Sequence, residues 1–226
     1  MKDLIKRIPL VGPLARRLYR VVRPPPPFPG STRYWETRYE TGDNSGAGSY
    51  ALFAEFKAEV LNKFVADHAI ESVIEFGCGD GNQLSYARYP SYLGLDVSAA
   101  ALALCTQRFG ADTTKAFLLV GDHDGQRADL ALSLDVIYHL VEDSVFDEYM
   151  NTLFLAARRY VIVYSSNHDD NSRKDGVHVR HRMFSRWIER HRPEWKLVEH
   201  VPNRYPYRGD ANTGSFADFF VYSNAS

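Results

Sequence analysis

The chain has 226 residues, 45% of them hydrophobic, with a net charge of −1; this suits one domain with a filled core and lacks the basic excess of most nucleic-acid binders. Residues 1–23 carry seven Lys or Arg against one Asp, so the −1 total splits into +6 on an N-terminal arm and −7 on the rest. Two cysteines, Cys78 and Cys105, offer no disulfide framework and fit a reducing, cytoplasmic setting, and no apolar run of about 18 residues predicts a membrane span.

In chain order, Pro13, Leu14, Leu18, Val21 and Val22 alternate with Arg16, Arg17, Arg20 and Arg23, predicting a short amphipathic helix. Such a helix suits peripheral contact with an anionic membrane surface, and equally an arm docked on its own body or on a second subunit. The four prolines 24–27, then Phe28, Pro29 and Gly30, predict a polyproline II spacer, which places an arm at 1–30 and a folded domain at 31–226. Residues 50–69 repeat apolar side chains at helical spacing (Leu52, Phe53, Phe56, Val60, Leu61, Phe64, Val65). Near-continuous apolar runs at 72–77, 92–97, 116–121, 129–134 and 160–164 predict buried strands, with helical patterning at 99–109 and 141–159 between them. That alternation implies a parallel sheet with helices on both faces. Segments 196–201 and 216–222 are strand-like and joined only by a Pro/Asn/Gly/Asp-rich loop, predicting an antiparallel pair.

Behind the first strand, Glu75-Phe76-Gly77-Cys78-Gly79-Asp80-Gly81 forms an acid-x-Gly-x-Gly-x-Gly turn at a predicted strand-to-helix junction, where glycine lets backbone approach a ligand closely. About twenty residues on, the second strand ends at Asp96-Val97, the place where a carboxylate takes the two hydroxyls of an adenosine ribose. Asp122, after the third strand, is placed to accept from an adenine amino group.

These residues resemble the class I S-adenosylmethionine (SAM)-dependent methyltransferases: VIEFGCGDG is similar to the first motif of that family, YLGLDVS to its second and SLDVIYHL to its fourth, over about residues 34–224. The resemblance implies a Rossmann-like fold, a mostly parallel seven-stranded sheet with a C-terminal antiparallel hairpin, and SAM as cofactor. It further implies that Glu75 and the 77–81 loop (Gly77, Cys78, Gly79, Gly81) hold the methionine end, Asp96 the ribose and Asp122 the adenine, while Ser133, Leu134 and Asp135 pass beside the sulfonium. Tyr34-Trp35-Glu36-Thr37-Arg38-Tyr39 resembles the W-x-x-R-Y segment of small-molecule methyltransferases, in which Trp35 would cap the cofactor and Arg38 pair with its carboxylate. The competing nicotinamide reading fits poorly, because the third glycine of Gly-x-Gly-x-x-Gly falls on Asn82 and leaves Glu75 without a purpose.

Methyl transfer is a displacement that mainly requires alignment, but a hydroxyl acceptor must also lose a proton. His139, four residues after Asp135, is the candidate base. The 135–139 segment is similar to the metal-binding acid-x-x-acid-His run of ubiquinone-pathway O-methyltransferases, but Tyr138 stands at the second acidic position and no metal is expected. Tyr138, His168, His178, Arg180 and His181, beyond the fourth and fifth strands, are candidate substrate contacts at the carboxyl edge of the sheet. No Asn/Asp-Pro-Pro-aromatic run follows the fourth strand, which with the acidic body argues against a nucleic-acid substrate. The arm, the spacer and the stretch 34–61 resemble methyltransferases of bacterial cell-surface polysaccharide and glycolipid synthesis. The resulting expectation is O-methylation of a sugar hydroxyl on a small or lipid-linked glycan precursor. N-methylation, a secondary-metabolite acceptor and a non-catalytic SAM-binding module stay open.

Overall fold

A computed structural model describes residues 27–172 and 176–224; the amphipathic-helix expectation and most of the polyproline spacer fall outside them. The described chain runs α1 (Ser31–Glu40), α2 (Ala51–Asp67), β1 (Val73–Phe76), β2 (Tyr92–Asp96), α3 (Ala99–Phe109), β3 (Lys115–Leu119), β4 (Ala128–Leu134), α4 (Asp143–Leu155), β5 (Ala157–Ser165), α5 (Phe184–His191), β6 (Trp195–Val201) and β7 (Asp218–Asn224). One seven-stranded sheet has the order β3-β2-β1-β4-β5-β7-β6. β1 to β5 are parallel, and β7 inserts antiparallel between β5 and β6.

Alternation along the strands sorts the core into two layers. Leu130 and Leu132 of β4 face Phe56, Leu61 and Phe64 of α2 and Leu102 and Cys105 of α3. Ile74, Phe76, Ala131 and Val163 belong with Phe146, Met150 and Leu153 of α4 and Phe184 and Ile188 of α5. Chain direction reverses its lateral progress between β1 and β4, so a crevice opens at the carboxyl ends of those strands.

The structure departs from the sequence expectations at several elements. After the glycine turn comes only a single 3₁₀ turn, Gln83–Tyr86, in place of a helix. Pro90 forces Tyr89 out of helical backbone and leaves too few residues for two turns before β2. α1 and α5 carry no apolar stripe long enough to be read as helices; α5 buries only Phe184 and Ile188. The helix expected over 141–159 stops at Leu155, because Ala157 already pairs with Ala128 in the β5 ladder. β3 ends at Leu119, and Val120–Asp122 curl into a 3₁₀ turn that carries Asp122 to the rim. β7 begins at Asp218 and not at Phe216. Among the described residues no helix is long and apolar enough to cross a membrane.

Candidate active site

A cavity of about 560 Å³ lies in the crevice, floored by the ends of β1, β2 and β4 and roofed by α1. Its glycine loop needs glycine. Gly77 (φ +87°) and Gly79 (φ +58°) adopt the left-handed region, and a Cβ would lie 2.5 Å from Val136 Cγ2 at the first and 2.4 Å from Ser45 Oγ at the second. Asp80 ties this loop to the 45–50 segment: it accepts from Tyr50 Oη at 2.5 Å, Ser45 N at 3.1 Å and Asn82 N at 3.0 Å.

Two carboxyl groups lie deep in the cavity wall. Glu75 accepts from Tyr92 Oη at 2.6 Å, and burial pushes its pKa up to about 7. Asp96 accepts the backbone N–H groups of Gly79 and Ser98, each at 2.9 Å; burial nonetheless lifts it to about 6. Both are therefore poised to gain from a ligand cation or hydroxyl that stabilises the ionised form.

α1 is docked through its N-terminus. Ser31 donates from N to Glu142 Oε1 (2.9 Å) and from Oγ to Glu142 Oε2 (2.6 Å), and accepts from Val141 N at 2.9 Å. This sets Trp35 edge-on to His139, with centroids 4.8 Å apart, in the cavity roof. His139 Nδ1 lies 2.9 Å from the carbonyl of His178. A carbonyl only accepts, so Nδ1 carries the proton and Nε2 keeps its lone pair. Burial lowers the His139 pKa to about 4, keeping the ring neutral.

Of the cofactor residues expected from the sequence, Trp35, Glu75, Gly77, Cys78, Gly79, Asp96, Val97, Asp122 and Leu134 line the cavity, as do Asp135 and His139. Three do not. Arg38 spends its guanidinium on Asn44 O (2.7 Å) and Asp43 (3.3 Å); Gly81 packs against Phe109 and Cys105; Ser133 is fully buried and accepts from Tyr149 Oη at 2.7 Å. The five substrate candidates also stay outside the lining. Tyr138 donates to Asp135 Oδ1 at 2.6 Å, and His178 stacks on Tyr34 with its ring 4.6 Å away. Arg180 holds Val141 O (2.9 Å) and Asp143 (3.1 Å). His181 bonds Ser166 Oγ at 2.7 Å and packs on His168 at 4.5 Å. They fasten residues 167–172 and 176–183 to the sheet edge and to the start of α4.

Sequence reading missed Lys57 and Gln83, both buried in the cavity wall. Lys57 Nζ donates to Asp135 Oδ2 at 2.7 Å and sits 5.3 Å above the Tyr164 ring. The signal was a lysine on the same buried face of α2 as Phe53, Leu61 and Phe64. Gln83 Nε2 donates to Ala54 O at 3.1 Å, leaving its buried Oε1 without a partner.

No family model matches the sequence, and no curated protein is significantly similar to it. Solved structures are similar in fold. The N-methyltransferase NodS from Bradyrhizobium japonicum WM9, in complex with S-adenosylhomocysteine (SAH), superposes with a TM-score of 0.68 at 15% identity, covering 87% of this chain and 100% of that one. Magnesium protoporphyrin IX methyltransferase (ChlM) from Synechocystis PCC 6803 with bound SAH gives 0.59 at 14% identity, over 87% and 96%. The methyltransferase domain of bacterial CtHen1-C gives 0.58 at 18% identity, over 76% and 98%. The chain has the Rossmann-like fold of class I SAM-dependent methyltransferases.

Proposed function

We propose that this chain is a SAM-dependent methyltransferase that methylates a hydroxyl of a small molecule, with a sugar of a polysaccharide or glycolipid precursor as the leading acceptor class. The observation that carries the cofactor assignment is the charge of the cavity. Its lining holds five carboxyl groups (Glu75, Asp96, Asp122, Asp135, Glu148) and one ammonium, Lys57. That balance repels a dinucleotide pyrophosphate and suits a sulfonium ligand with ribose hydroxyls and an α-ammonium. The glycine loop, too tight for any Cβ at Gly77 and Gly79, fits backbone contact with the same ligand.

Bound there, SAM supplies an activated methyl group whose transfer leaves a neutral thioether. The protein's part is alignment under α1, exclusion of water and removal of the acceptor proton. His139 is suited to the last task, since its Nδ1 donates to the His178 carbonyl and leaves Nε2 as the accepting nitrogen. Asp135 is not free to act as that base, being held by Lys57 and Tyr138.

One observation favours an amine acceptor as the second reading. A ring lowered to about pKa 4 is a weak base, which suits a nucleophile that arrives already deprotonated. The sugar assignment rests on the resemblance of the arm and the 34–61 stretch, and membrane contact through residues 1–23 belongs to the same proposal. Co-sedimentation with anionic vesicles, with and without residues 3–29, tests the latter; equal pelleting refutes it.

The first experiment is isothermal titration with SAM, SAH and NADH, repeated on Asp96→Ala. Binding of SAM and SAH that weakens about 10- to 100-fold in the variant supports the cofactor assignment. Binding of NADH alone, or of none of the three, overturns it.

A further inference from the structure

Resting on that cofactor reading, we propose that Lys57 and Gln83 form the recognition site for the amino-acid end of the cofactor, with Lys57 taking the α-carboxylate and Gln83 Oε1 taking the α-ammonium. An α-amino acid presents two opposite charges on groups attached to one carbon. Its receptor needs one cation and at least one acceptor, close together and shielded from water.

The cation follows from elimination. Among the described residues that line the cavity, Lys57 is the one Lys or Arg; Arg38, the carboxylate partner expected from the sequence, is committed to Asn44 and Asp43 outside the lining. An ammonium has three N–H donors, and the Asp135 Oδ2 bond at 2.7 Å engages one of them. The same bond holds the Lys57 side chain, which is 1% exposed, in a single position.

The acceptor follows from an orphan. The Ala54 carbonyl can only accept, so the Gln83 amide is fixed with Nε2 toward it, and Oε1 remains buried without a donor. A buried acceptor left unpaired is destabilising unless a ligand supplies the hydrogen. Ala54 and Lys57 lie three residues apart on α2, hence one above the other on a single face. Through its bond to Ala54, Gln83 is held against the stretch of α2 that carries Lys57, and both side chains line the one cavity. Glu75 completes the cluster, since Lys57 is the positive charge that its carboxyl senses.

The probes are SAH and 5′-deoxy-5′-methylthioadenosine, which shares the adenosine and the sulfur but lacks the amino-acid end. Titration of the wild-type full chain is expected to show SAH binding at least about 10-fold tighter. Lys57→Met and Gln83→Leu should each weaken SAH about 10- to 100-fold, the range for a hydrogen bond to a charged group, while leaving the truncated ligand's Kd unchanged. Lys57→Arg should restore part of the loss. Retained binding of the truncated ligand also reports that each variant is folded. If Lys57→Met does not fold, Gln83→Leu decides, because it leaves the Lys57–Asp135 pair intact.

Equal wild-type affinity for the two ligands would overturn this inference and leave the cofactor assignment standing. Variants that weaken both ligands alike, or neither, would also overturn it. Wild-type protein that binds neither ligand would instead remove the cofactor assignment itself.

Discussion

Replacing Glu75 by Gln should stabilise the protein at alkaline pH while weakening its ligand. Glu75 is 4% exposed, accepts one hydrogen bond from Tyr92 and has its pKa lifted by burial from 4.5 to about 7. A carboxyl whose folded pKa lies above its unfolded value keeps a proton in the folded state that the unfolded chain has released. Stability therefore falls as pH rises from 4.5 to about 7, and above that the deficit is complete. At about 1.36 kcal/mol per pH unit, the displacement corresponds to about 3 kcal/mol. Gln keeps an oxygen for the Tyr92 hydroxyl and cannot ionise, so the variant should match wild type near pH 5 and exceed it by up to about 3 kcal/mol at pH 8. For a chain of this size that is roughly 5–10 °C in Tm. Asp96 titrates in a similar range but is common to both proteins and cancels in the comparison. Thermal melts and urea unfolding at pH 5, 6.5 and 8 measure the difference; a variant equally stable, or equally destabilised, across that range would refute desolvation of Glu75. In wild-type protein, SAH binding should tighten between pH 6 and 8, since a ligand ammonium favours the ionised carboxylate and expels its proton.

Gly77→Ala combines a left-handed backbone with a contact 2.5 Å from Val136 Cγ2, together costing about 2–4 kcal/mol. A Tm drop of at least about 5 °C is expected, partly recovered by Val136→Ala in the same chain; an unchanged melt contradicts the cradle geometry. Ser31→Ala removes the Oγ bonds to Glu142 and Val141, so amide exchange across α1 should accelerate about 10- to 100-fold, leaving α2 unaffected. Uniform exchange in both proteins would show that α1 is not docked there. Once an acceptor is identified, His139→Ala should lower kcat about 10²–10⁴-fold with SAH affinity kept. At saturating cofactor, wild-type kcat should show no acid limb near pH 6.5, because burial holds His139 neutral down to about pH 4; a limb centred near 6.5 would show an exposed ring.

The parts legible in the sequence are those whose cause is local or periodic. β1, β2 and β4 read as apolar runs because a central parallel strand is covered on both faces, and the glycines of the 77–81 turn stand out because other residues are strained there. α1 was not legible as a helix. It buries only Ser31 and Tyr39, and its N-terminus is held by two hydrogen bonds from Ser31 to Glu142, 111 residues away. The contacts of the loop histidines were not legible for a related reason: His178 meets His139 through its backbone carbonyl, a group that every residue carries and no side-chain pattern reveals.

Lys57, Gln83 and Asp135 show where sequence reading and function part company. Each breaks a local rule: a cation on an apolar helix face, an amide with an unpaired buried oxygen, and a non-glycine residue at φ +60°. Two of the three are reconciled in part within the fold, since Asp135 neutralises Lys57 from 78 residues away. Gln83 Oε1 is left unpaired among the described residues. Local rules broken together around one cavity, with one breach left open, mark a surface shaped for a molecule other than the chain itself. The missing donor at Gln83 Oε1 then supplies chemical content that the glycine motif lacks: a ligand with an N–H group would satisfy it in the same cavity that carries the Lys57 ammonium. A dinucleotide has no ammonium and carboxylate on one carbon, and an α-amino acid does.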